Sequence, residues 1–151
     1  MKNIATKWWI IAVVVLIAGL FGWSTLLQSG NPDVIAQKGI HWHPRLKIIV
    51  MGEEVPIPAD IGIGPQYAGM PTFGSMGMTA IHTHDDMPVI HLEFPGLVRE
   101  EDVTLGNLFR IWGKDMRSFG SNMRMTVNGK ENTEYENYLM HDGDQIELRY
   151  E

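Results

Sequence analysis

The chain has 151 residues, with 12 basic and 18 acidic side chains, six histidines, ten methionines and no cysteine. The absence of cysteine excludes disulfides, thiolate metal sites and thiol catalysis together. The acidic balance argues against a nucleic-acid partner and against adhesion to anionic lipid, and it suits cations.

The first element in chain order is apolar. Trp8 to Leu27 reads WWIIAVVVLIAGLFGWSTLL without a charge. At about 1.5 Å per residue this run covers about 30 Å, the thickness of a bilayer core. Trp8, Trp9 and Trp23 lie towards its ends, where indole rings favour the interface. The run is longer than the h-region of a signal peptide, and no clear small-x-small cleavage site follows it. The expectation is an uncleaved membrane anchor over 1–28, a linker over 29–38 and one soluble domain over 39–151. Lys2 and Lys7 precede the helix, whereas Lys38 is opposed by Asp33 after it. The positive-inside rule then places the domain on the extracytoplasmic side of the cell membrane, on a single-pass anchor. Without Lys2 and Lys7 the domain keeps ten basic residues against 18 carboxylates, a net charge of −8.

Within the domain, Leu46, Ile48 and Val50 alternate with Arg45, Lys47 and Ile49, the pattern of a half-buried strand. A turn at Met51–Glu54 leads to VPIPADIGI, a second strand whose prolines suit a sheet edge. The loop Gly64–Gly77 is rich in glycine, and long loops in compact domains tend to be functional or disordered. A hairpin, AIHTHDDMPVIHLEF, follows. Thr104 then caps a short helix with Leu105, Leu108, Phe109 and Trp112 on one face, ended by Gly113. Asn128-Gly129 marks a tight hairpin, Asp142-Gly143 the last turn, and Ile146, Leu148 and Tyr150 alternate in a closing strand.

The predicted fold class is α+β: a transmembrane helix, then one mixed or antiparallel sheet with a single short helix. The segments TLGNLFRIWG, VNG and LMHDGDQIELRY resemble the second half of a ubiquitin-like β-grasp domain, as in the ubiquitin-like sulfur carriers. The resemblance covers about the last 50 residues, rests on short turn motifs, and implies the fold only. The chain ends in Arg-Tyr-Glu, where such carriers have the Gly-Gly tail that they activate, so their chemistry is not implied.

Five histidines fall in two clusters, His41-Trp42-His43 and His82-Thr83-His84 with His91. Residues at i and i+2 of a strand share a face. A four-residue turn, Asp85–Pro88, pairs His84 with Val89 and His82 with His91, so that His82, His84, His91 and Glu93 line one face. Directly opposed Cβ atoms lie about 5 Å apart, within reach of one ion. His41 and His43 share the opposite face from Trp42, Leu46 and Ile48. They are expected to add ligands or a second site if the two segments are neighbours. His141 reads as an exposed turn residue, and Asp85 and Asp86 as turn formers.

Imidazole suits zinc, copper, nickel and iron. Met70, Met76, Met78 and Met87 lie in the glycine-rich loop and the hairpin turn, and thioethers favour copper(I), so copper is the first expectation and zinc the second. The expected metal ligands are His82, His84, His91, His41 and His43, with Met76 and Met78. No catalytic residue is assigned: no HExxH helix, Ser/His/Asp order or phosphate-binding glycine loop appears. The expected function is metal capture or hand-over at a membrane. The rivals are a non-catalytic subunit docking on a membrane-protein partner or forming a homo-oligomer, and a metal-dependent enzyme.

Overall fold

The structure is a computed structural model, and it describes residues 4–27, 33–73 and 77–151. The chain divides into two units, Met1–Pro32 and Asp33–Glu151. The first holds α1 (Ile4–Leu27). Among the described residues no helix is long and apolar enough to cross a membrane. This corrects the expected single-pass anchor, and the extracytoplasmic membrane localisation that rested on it is not supported.

The second unit contains, in chain order, β1 (Val34–Ala36), β2 (Ile40–Trp42), β3 (Arg45–Val50), β4 (Glu53–Val55), β5 (Thr72–Phe73), β6 (Met78–Thr79), β7 (Ile81–His82), β8 (His91–Phe94), β9 (Val98–Arg99), α2 (Leu105–Trp112), β10 (Arg124–Val127), β11 (Lys130–Asn132) and β12 (Gln145–Tyr150). It begins at Asp33 because β1, inside the expected linker, pairs antiparallel with β9.

The fold is mixed α/β with two α-helices and several sheets among the described residues, which corrects the expected single sheet. The physical reason lies between β4 and α2. Pro56 and Pro58 cannot continue a ladder, so β4 ends at Val55 and the chain leaves the sheet. The segment before α2 then builds short ladders of its own, β5-β6 and β7-β8, and β2 pairs with the other side of β8.

The larger sheet has the order β11-β10-β12-β3-β4. Its centre is a parallel pair, with Ile146 beside Leu46 and Leu148 beside Ile48. All four side chains are buried, as the alternation predicted, and each contributes about 1.5–3 kcal/mol by leaving water. The expected second strand over VPIPADIGI does not form: the edge strand β4 covers Glu53–Val55 and stops before Pro56. Met51-Gly52 and Asn128-Gly129 make the two tight turns, all four residues at positive φ. Thr104 caps α2 by accepting a hydrogen bond from the Asn107 amide at 3.1 Å, and Gly113 ends the helix in the left-handed conformation. Leu105, Leu108 and Phe109 join the same core as the sheet.

Candidate metal centre

The hairpin places the first pair as its alternation predicted: His82 lies directly opposite His91 on β7 and β8. The ladder ends there, and His84 does not pair with Val89. Thr83 explains the early end. Its hydroxyl donates to Pro58 O at 2.7 Å and accepts from the Ile61 amide at 3.1 Å, drawing the strand off β8 towards the 58–61 segment. On the other arm Val89 bridges to Arg45, and the Ile90 amide donates to Pro44 O. Thr83 is fully buried, as the parity required.

The decisive feature is the other neighbour of β8. β2 pairs antiparallel with it, with His41 opposite Glu93 and Trp42 opposite Leu92. By continuation of that register His43 stands opposite His91. The three-stranded order β2-β8-β7 therefore brings both histidine clusters onto one face. Ring centroids lie 5.0 Å apart for His43 and His91 and 5.3 Å for His91 and His82. The His84 ring is 4.9 Å from both His82 and His91.

Two sets of ligand atoms gather within 4.8 Å of one another: His82, His91 and Glu93, and His41, His43 and His91. Ligand atoms bound to one ion at about 2.0–2.2 Å sit on the order of 3.3 Å apart, so modest side-chain rotations would close either set. Glu93 thus occupies the ligand position expected of His84, which flanks the pair. The signal for Glu93 was present in the sequence, since it stands two residues after His91 on the same face.

Hydrogen bonds assign the nitrogen that each inner histidine presents. His82 Nδ1 donates to Thr79 O at 3.0 Å, leaving Nε2 as the bare nitrogen. That Nε2 is buried and, among the described residues, has no hydrogen-bond partner. Burial pushes the His82 pKa down, more than the Thr79 hydrogen bond and the Glu93 charge raise it, so the ring is neutral at pH 7. His91 Nε2 donates to the Asp86 carboxylate at 3.2 Å, which leaves Nδ1 facing Glu93 Oε1 at 3.9 Å. A carboxylate or carbonyl on the outer nitrogen is the arrangement that orients metal-binding imidazoles. Asp86, expected as a turn former, therefore also holds the His91 ring. The chain matches no family model, no curated protein and no solved structure.

The backbone beneath His82 is closely fitted. Gly62 has φ +77°, and a Cβ there would meet Ile81 O at 2.5 Å and the His82 Cβ at 3.1 Å. Gly62 O accepts from the Thr79 amide at 2.8 Å, which ties the loop to the residue that orients His82.

The outer cluster is held from the other side of the fold. Trp42 stacks on His141, with centroids 5.7 Å apart, and the His43 amide donates to Asp142 Oδ1 at 2.8 Å. The 141–144 turn is itself anchored by buried Asp144, which accepts from Tyr138 OH, Asn128 Nδ2 and the His141 amide. The Tyr138 hydroxyl is pushed above its ordinary pKa by burial and by that carboxylate. His141 is exposed, as expected, and belongs to neither ligand set.

The methionines fall differently. Met70 and Met87 pack against the hydrophobic core, and Met78 is buried in β6. Met76 lies outside the described residues.

Proposed function

We propose that this chain binds one divalent first-row transition ion through His82 Nε2, His91 Nδ1 and Glu93, for capture or hand-over of the metal. The observation that carries the reading is the bare, buried Nε2 of His82, on a ring 4.9 Å from that of His84 and 5.3 Å from that of His91, in a ligand set that includes Glu93. A buried polar nitrogen without a partner costs about 1–3 kcal/mol, and a metal ion would remove that cost. Neutral His82 needs to lose no proton before it binds.

Imidazole with carboxylate suits a borderline divalent ion better than copper(I), and the core packing of Met70 and Met87 weakens the thioether case. Copper(II) stands first, because such sites bind it most tightly among the first-row divalent ions, and zinc stands second. The ubiquitin-like resemblance of about the last 50 residues rests on short turn motifs. That likeness adds no chemistry to the metal reading.

The test is a titration of the full-length protein with copper(II) and with zinc, read by calorimetry and, for copper, by the nitrogen hyperfine pattern of its electron paramagnetic resonance. One tightly bound equivalent with two or more coordinated nitrogens is the expected result. No binding of either ion would sink the proposal.

A further inference from the structure

We propose that His41, His43 and His91 form an outer receiving site, from which the ion passes to the inner site by exchanging ligands around His91. This rests on the metal reading of the inner site and adds a route into it. The two ligand sets share His91, and the ring row His43, His91, His82 has spacings of 5.0 and 5.3 Å. Along that row the side chains go from open to closed. His41 is 64 % exposed and His43 42 %, whereas His91 is 14 % exposed and His82 is fully buried. An ion arriving from water meets the outer set first.

Glu93 connects the two sets. Its Oε1 lies 3.0 Å from His41 Nε2, and the same carboxylate belongs to the inner set. It stands beside His41 at the outer site, and serves the inner site as a ligand. In the transfer step the bonds from the ion to His41 and His43 break, and those to His82 Nε2 and Glu93 form. The His91 bond persists, and the contact between His41 and Glu93 opens. The ion keeps its charge and no electron moves. His82 releases no proton, since Nε2 is already bare. Two divalent ions one ring apart would repel each other and compete for His91, so one ion at a time is bound.

The test uses full-length protein, copper(II) as the probe and stopped-flow tryptophan emission as the readout, with a strong chelator for dissociation. Equilibrium titration of the unmutated protein should give one equivalent. The double variant His41→Ala/His43→Ala should keep its final affinity within about threefold while association slows at least about tenfold. His82→Gln should keep fast association but release copper at least about a hundredfold faster. Two equivalents bound at once, or an unchanged association rate in the double variant, would overturn the transfer route while leaving the inner site standing. No binding by the unmutated protein would overturn both. The double variant decides the matter alone if His82→Gln does not fold.

Discussion

His82 and His91 face each other across one antiparallel pair, their rings nearly parallel at 12° and 5.3 Å apart. One has its outer nitrogen on a backbone carbonyl, the other on a carboxylate. Each therefore keeps its second ring nitrogen clear of that bond. His82→Ala or His91→Ala should weaken copper(II) and zinc binding by more than about a hundredfold, because three protein ligands become two. His141→Ala should change it by less than about twofold, since His141 belongs to neither ligand set. Equal affinities in all three variants, by isothermal titration, would end the assignment.

Asp86 is tested separately because it touches no metal in this scheme. Removing the carboxylate that orients a ligating histidine lowers metal affinity by about 10–100-fold. Asp86→Ala should fall in that range. Asp85→Ala, at an exposed neighbour outside both ligand sets, should bind as the unmutated protein does. A loss shared equally by the two variants would point to general surface charge instead.

Acid should destabilise the metal-free protein through His82. Its folded pKa lies below the ordinary 6.5, so the unfolded chain takes up a proton that the folded chain refuses. The stability that neutral His82 contributes is complete above about pH 6.5 and is lost as pH falls towards the folded pKa, at up to about 1.4 kcal/mol per pH unit. Urea unfolding at a series of pH values should show this slope, and His82→Gln should flatten it. If the variant keeps the full slope, another group is responsible.

Thr83 separates structure from binding. It sits between two histidines but points into the core, where it satisfies Pro58 O and the Ile61 amide. Thr83→Ala strands both groups and should cost about 1–3 kcal/mol of unfolding free energy. Copper(II) affinity of the folded variant should stay within about threefold. A large loss of affinity with unchanged stability would place Thr83 in the site.

The methionines offer a fourth contrast. Changing Met70, Met76 and Met78 together to Leu roughly preserves volume and should cost under about 1.5 kcal/mol per site. If imidazole and carboxylate hold the ion, copper(II) affinity should be unchanged in the triple variant. A selective fall in copper affinity with zinc spared would restore the thioethers to the site.

The features that the sequence alone determined are those set by near neighbours. The alternation along 45–50 decided which side chains are buried, because strand side chains point to opposite faces in turn. Thr104, Gly113 and Asn128-Gly129 carried their own caps and turns. The opposition of His82 and His91 followed from the parity of a hairpin, although the turn between them is longer than expected. Tertiary structure decided the rest. Nothing local could place β8 between β2 and β7, a pairing across some 50 residues that unites the two clusters. Nor could it show that Thr83, by bonding to the 58–61 segment, stops the ladder at His82. The apolar run 8–27 did form a helix, yet among the described residues no helix is long and apolar enough to cross a membrane. The nitrogen that each histidine offers depends on partners brought in by folding, Thr79 O and Asp86, and the burial of His82 depends on the packing around it. Parity says which face a side chain is on, and only packing says what waits there.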